Sequence, residues 1–498
     1  MKLTVLVPSS EYKRLAGARI RYGRIGDELK DLGIELTLRE IAKFEVETDD
    51  SGILLISKCF DVRSLLIAAR SSARGKIVGV DLFDNYFANP ADSRLRRYRE
   101  WLRQFVRFCD FAVCSTEELI RTVRQYHPGL AVHHLRDPAP ETPGDLLADR
   151  LRRKAAQALS QQRIRVAWFG VGDNQHFPVG LSDLAACAPS LAELGQGGFT
   201  VDLTVLTNRR ALTAEGLSLI GRLPVATKVS EWSEAAEREL LAEAFVAFLP
   251  VNAQAFSVAK SLNRATTALS AGCQVLSAGY PLYSPLEPVI YRDPAALLLD
   301  LRRGSLRLSP DRLGDYARLA REVASPSREA TRLAKFLGGL GAHEPAEALP
   351  ICLVHGQSTQ PDAHKLAKTA GALSIASPYC TAPFDFDVVF RGEAPHLHMF
   401  VSRDASRRML PDARRNLQAT EQFGGRPFRH LPGRGERLGP QASNLTLDKK
   451  PIAFQLATYC ETLATIKQRT GEAFGDSPMI ISETSQLPFQ ETTGESYK

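Results

Sequence analysis

No apolar run in these 498 residues reaches the roughly 20 needed to cross a bilayer as a helix, so no membrane span is expected. A large excess of either charge is also lacking: 63 basic residues against 56 acidic leave a net charge of only +7. That excess is too mild to argue for nucleic acid, though it suits an anionic ligand or an acidic membrane surface. The eight cysteines, at 59, 109, 114, 187, 273, 352, 380 and 460, include no CxxC pair, which argues against zinc-ribbon or dithiol redox chemistry. Several lie inside apolar runs and read as reduced, buried thiols. His355, His364, His396 and His398 show no compact zinc spacing, so no metal is expected. There is no GxGxxG fingerprint, which lowers the expectation of a dinucleotide cofactor, and no repeat of solenoid period. The opening MKLTVLVPSSEY reads as a strand and turn and not as a signal peptide, which predicts a cytoplasmic protein.

What is present is alternation. From 1 to 145, the apolar runs LTVLVP, IELTL, GILLIS, KIVGVDL, FAVCS and AVHHL are separated by helical stretches. Strands without period-two alternation, each followed by a helix, predict a parallel sheet covered on both faces. A Pro-rich linker with an Arg- and Ala-rich helix spans 139–162, and the alternation then restarts with RVAWFG, TVDLTVLT, ATKVSEW, AFVAFLP, CQVLSAG and PVIYRD. This predicts a second parallel-sheet domain over 146–340. A third alternating stretch, 345–498, carries LPICLVHG, DFDVVF, LHMFVS and MIISE, with a polar loop at 423–449, and reads as an additional C-terminal α/β module.

In open parallel sheets ligands bind beyond the carboxyl ends of the strands, so the loops there carry the candidates. After the first strand, Gly17 opens a helix bearing Arg19, Arg21 and Arg24. Free N–H groups at such a start would attract a phosphate or an anionic acceptor, and a solvated basic face is the plain alternative. VDLFDNYF sets Asp81 and Asp84 at a strand end, where a carboxylate can serve as catalytic base on an acceptor hydroxyl or simply cap the next helix. WFGVGDN places Gly170, Gly172 and Asn174 where backbone can approach a ligand closely, as it also does in ordinary strand-to-helix turns. Lys260, Ser261, Asn263 and Arg264 crowd one helical N-terminus, where cations oppose the helix dipole unless an anion neutralises them.

The turn with GARIRYGRIGDELKDLG, the run CDFAVCSTEELIRTVRQYHPG with HLRDP, WFGVGDN, and EWSEAAERELLAEAFVAFLPV leading to KSLNRATTALSAGCQVLSAGYPLY together resemble the GT-B glycosyltransferases. The resemblance covers residues 1–340 and points to the group that includes glycogen synthase-like and lipopolysaccharide or capsule enzymes. It implies two Rossmann-like domains facing across a cleft, with metal-independent sugar transfer from a nucleotide-sugar donor to a glycan, lipid-linked or protein acceptor. No cofactor and no nucleic acid are implied. By the same resemblance Lys260 and Arg264 would contact the donor phosphates, and Gly170 and Gly172 would form the glycine-rich loop. The base and ribose would lie near Lys228 to Trp232 and Thr267. The family's two glutamates with seven residues between them correspond here to about Ala259 and Thr267, so that pattern is missing. Its absence keeps two alternatives open: an inactive glycan-binding or scaffolding subunit of the same shape, and a nucleotide-sugar epimerase or hydrolase. Finally, 93–108 forms a basic amphipathic helix with Trp101, Leu102, Phe105 and Phe108, which either packs on its own sheet or makes peripheral contact with a membrane.

Overall fold

The structure, a computed structural model, describes residues 1–88 and 92–341 and six strands beyond them. The first lobe is a six-stranded parallel sheet: β1 (Lys2–Val7), β2 (Glu35–Glu40), β3 (Ile53–Ser57), β4 (Ile77–Leu82), β5 (Phe111–Cys114) and β6 (Ala131–His134), in the order β2-β1-β3-β4-β5-β6. β3, β4 and β5 are buried at every position, as strands covered on both faces must be. Asp61 and Thr116 cap the helices Val62–Ala73 and Glu117–Tyr126 by accepting from Ser64 and Leu119 backbone N–H groups.

The second lobe repeats the plan with β7 (Arg163–Gly170), β8 (Thr200–Thr207), β9 (Ala226–Glu231), β10 (Val246–Phe248), β11 (Gln274–Leu276) and β12 (Ile290–Tyr291). Its order, β12-β11-β10-β7-β8-β9, is that of a dinucleotide-binding domain, reversing direction between β7 and β10. Both sheets carry a packed core on each face. The two Rossmann-like lobes touch along their carboxyl-terminal rims. Thr116 Oγ1 donates to the Ala259 carbonyl at 3.1 Å, Arg19 pairs with Glu234 at 3.2 Å, and the Tyr86 ring meets Phe256 at 5.3 Å.

The packing changes one expectation and decides between two alternatives left open. The helix Pro326–Gly338, which chain order assigns to the second domain, returns to the first lobe: Ala330, Leu333 and Leu337 enter its core and Phe336 stacks on His133 at 4.9 Å. The helix Arg96–Phe105 buries Trp101, Leu102, Phe105 and the following Phe108 against its own lobe. Of the two alternatives for 93–108, the aromatic stripe takes the first and packs on its own lobe. Among the described residues no helix is long and apolar enough to cross a membrane.

The C-terminal strands β13 (Ile351–His355), β14 (Leu373–Ala376), β15 (Phe386–Gly392), β16 (His398–Ser402), β17 (Arg429–Leu431) and β18 (Met479–Leu487) form one mixed sheet. β15 runs antiparallel to β16 and β18, while the other neighbours are parallel. β17 falls within 423–449, where the sequence predicts a loop throughout; the rest of that stretch and of 345–498, with His364 and His396, lies outside the described residues.

Close packing makes one backbone position critical. Gly79 of β4 faces Phe111 of β5, and a Cβ there would sit inside the van der Waals envelope of that ring. Gly79→Ala should therefore cost about 1–3 kcal/mol, lowering the melting temperature by a few degrees with ligand affinity per folded molecule unchanged.

Candidate functional site

The strand order locates a crevice in each lobe. In the second lobe the reversal between β7 and β10 puts Gly170 and the loop after β10 at one spot. There Gly170 has φ 145°, and a Cβ built on it would lie 3.3 Å from the Arg264 guanidinium carbon. Arg264 rides on the helix Asn263–Ser270, with Thr267 three residues on along the same face. Its guanidinium lies over the Trp168 and Phe169 rings, at 5.2 and 5.4 Å, while Nε and Nη2 are buried with no hydrogen-bond acceptor. Trp168 Nε1 is likewise buried and unmatched. Asp183 lies in the same neighbourhood but is spent on other donors, the Gly180 N–H at 3.0 Å and the Asn252 amide at 2.6 Å. Burial raises its pKa, against those hydrogen bonds and the field of Arg264.

The loop after β7 is held from behind. Gly172 donates its N–H to Asn208 Oδ1 at 2.9 Å, and a Cβ there would strike Thr207 and Ala211. Asn208 also donates to Asp173 at 2.8 Å, and Asn174 reaches the Tyr86 hydroxyl of the other lobe at 3.4 Å. Trp232 stands at the end of β9 on the same rim, its backbone N–H on Thr207 O at 2.7 Å and its indole on Glu237. Lys228 does not join them. It is mid-strand, opposite Thr204 and three residues short of the rim, with an exposed side chain. Three residues of strand is about 10 Å, so the resemblance misplaces it.

The other cations expected to be free are matched by internal acids. Lys260 bonds Asp84 of the first lobe, which also takes Lys58. Ser261 Oγ and the Asn263 amide both donate to Asp137, at 2.5 and 3.1 Å, so a carboxylate of the chain already fills the helix tip where an external anion was expected. Electrostatic frustration at that tip is thus relieved from within, and Arg264 alone of the group keeps unmatched nitrogens.

The first-lobe loop departs from expectation in the same way. A single α-helical turn, Ala16–Ala18, opens after the extended Leu15 and runs directly into a wide π-helical turn, Arg19–Gly23. Gly17 allows the turn to pack on Tyr12 and Phe83. Arg19 is taken by Glu234, and Arg24 donates to Pro138 O at 2.5 Å. Arg21 is 1% exposed and binds Asp81, Asp137 and the Leu135 carbonyl. Arg21 is therefore closed to a ligand, whereas Arg19 keeps a buried Nε with no acceptor in the unliganded chain, and Gly17 packs the turn behind it. Asp81 is equally unavailable as a base: fully buried, it accepts from Arg21 at 2.7 Å, Ser57 at 3.0 Å and Tyr22. Asp84 does face the cleft. Burial alone would raise its pKa, but Lys260 and Lys58 outweigh it and hold the carboxyl at about 2, a poor proton acceptor while both lysines stay.

Three participants carry little signal in the sequence. Lys58, just past β3, has φ 60°, a left-handed conformation rare outside glycine, and it directs an ammonium at Asp84. Asp137 and Asn208 follow strands as short polar residues, and that position is their only mark. Among the described residues no three His, Cys, Asp or Glu side chains gather as a metal set.

No family model and no curated protein matches this sequence. Among solved structures, the chain is similar to a trehalose-6-phosphate protein from E. coli bound with UDP-2-fluoro glucose (10% identity, 69% of this chain and all of that one, TM-score 0.47). It is also similar to HepE from Anabaena in complex with UDP and glucose (14%, 68% and 100%, TM-score 0.44). Sucrose-phosphate synthase from Thermosynechococcus elongatus is a third (11%, 68% and 98%, TM-score 0.45). Likenesses of this size leave the chemistry to be argued from the residues themselves.

Proposed function

We propose that the chain is a glycosyltransferase that moves a sugar from a nucleotide-activated donor to a hydroxyl of a glycan, lipid-linked or protein acceptor. One observation carries the reading: at the strand-order reversal of the second lobe, an arginine with buried, unmatched N–H groups stands beside a glycine that lets a ligand approach the backbone. A buried donor without an acceptor is costly, and a diphosphate oxygen is the acceptor that suits a guanidinium best. Gly170, Gly172, Arg264 and Thr267 would line the donor site, with Asn174 at its interlobe end and Trp232 near the base. As the bond to the sugar breaks, negative charge grows on the leaving phosphate, and Arg264 would stabilise it from a fixed, partly desolvated position. That cationic charge serves the role a metal could otherwise fill.

A second reading draws on the state of the two carboxylates. Asp81 is locked to Arg21 and Asp84 is shared by two lysines, which suits a subunit that binds a nucleotide sugar without transferring it. Thermal unfolding against a panel of nucleoside diphosphates and nucleotide sugars tests the site. At 100 times Kd, a ligand that binds only the native state adds about 2.7 kcal/mol and should raise the melting temperature by roughly 5 °C or more. No shift with any member would sink both readings. Product analysis with the stabilising donor then separates transfer from mere binding, and both from epimerisation or hydrolysis.

A further inference from the structure

The carboxylate of Asp84 receives one lysine from each lobe, and on different oxygens: Lys58 on Oδ2, Lys260 on Oδ1. The two lysines are not equivalent. Lys58 is 14% exposed, fixed by its left-handed backbone, with its ammonium 4.6 Å from the Phe83 ring centroid. Lys260 is 39% exposed, rests over Phe256 at 4.1 Å, and sits four residues before Arg264 in the segment that leads into its helix. One partner is anchored; the other is free to leave. A part-exposed single ion pair is weak, and a diphosphate beside Arg264 would offer Lys260 more negative charge and more acceptor oxygens than one carboxylate does.

We propose that Asp84 stands in for the donor's phosphate in the unliganded chain, holding Lys260 across the cleft until a nucleoside diphosphate group takes it over. The inference rests on the donor reading above and adds to it an order of events. While Lys260 stays on Oδ1, the lobes are tied and that oxygen is covered. Transfer of Lys260 to the diphosphate unties them and uncovers Oδ1, with Lys58 still fixed on Oδ2. The exposed oxygen faces the cleft from the first lobe, where an acceptor hydroxyl can donate to it. Asp84 is thereby both a competitor of the donor and the group that donor binding makes available.

The competitor role has a consequence opposite in sign to that of an ordinary structural acid. Isothermal titration of UDP, ADP and GDP into the full chain should show that whichever binds the native protein binds Asp84→Asn about twofold to fivefold tighter. Lys260→Gln should bind it more weakly, and the gain from Asp84→Asn should vanish when Lys260→Gln is also present. Equal or weaker affinity in a folded Asp84→Asn overturns the exchange. Should Asp84→Asn not fold, Lys260→Gln decides the matter by comparison with the parent nucleoside. Loss of affinity for the diphosphate but not for uridine, adenosine or guanosine supports the exchange, and equal loss for both overturns it. If the native chain binds none of the three diphosphates, it is the donor reading that fails, and that outcome is distinct from binding that ignores Asp84.

Discussion

Arg264→Ala should weaken binding of a nucleoside diphosphate by at least 100-fold while leaving the melting temperature unchanged or slightly higher. The guanidinium can give two charge-assisted hydrogen bonds to phosphate oxygens through Nε and Nη2, each of about 1.5–3 kcal/mol, and a loss near 3 kcal/mol is a factor of over 100 in Kd. In the unliganded chain those same groups are buried with no acceptor, so their removal relieves a desolvation cost and forfeits no bond. What is lost is the contact with the Trp168 and Phe169 rings. A residue kept for stability would show the reverse pattern, a lower melting temperature and an affinity unchanged per folded molecule. Titration calorimetry and thermal unfolding of the same sample distinguish the two, and undiminished affinity would remove Arg264 from the site.

Much of this architecture is legible in the sequence, because a strand buried on both faces has to be written as an unbroken apolar run. LTVL, ILLI, IVGV and VAWF could hardly be anything else between helices with polar faces. The returning helix Pro326–Gly338 is less legible for a physical reason. Ala330, Leu333 and Leu337 announce that one face is covered, yet the pattern is the same whichever lobe covers it. The candidate site divides along a similar line. Gly170 and Arg264 are found by position, at a strand end and a helix start. The pairing of Lys260 with Asp84, 176 residues away, has no local signature, since charge carries no record of its partner in the chain. Lys58 is harder still: a left-handed residue usually shows itself as glycine or asparagine, and here a lysine holds that conformation. Cations at a helical N-terminus do require anions, and at 260–264 the chain supplies most of them itself. The anions that satisfy Lys260, Ser261 and Asn263 come from the other lobe and from the segment joining the lobes.

The connection through Asp137 makes the second large effect predictable. Arg21 is almost fully enclosed, and it holds together Asp81 at the end of β4, Asp137 after β6 and the Leu135 carbonyl. Asp137 in turn holds Ser261 and Asn263 at the head of the helix that carries Arg264. Arg21→Ala would leave the Asp81 carboxylate buried without its cation, and breaking a buried pair from one side costs about 3–5 kcal/mol. For a lobe of this size that corresponds to a fall of roughly 10 °C in melting temperature. Paired removal, Arg21→Met with Asp81→Asn, should recover a substantial part of the loss, because no uncompensated charge then remains at position 81. A solvated arginine on a basic helix face would behave quite differently, with Arg21→Ala moving the melting temperature by a degree or less and the second substitution recovering nothing. Thermal unfolding of the two variants therefore decides whether the arginine after β1 meets a ligand, meets water, or, as its partners indicate, meets the carboxylates of Asp81 and Asp137, the latter binding the first lobe to the helix of the second.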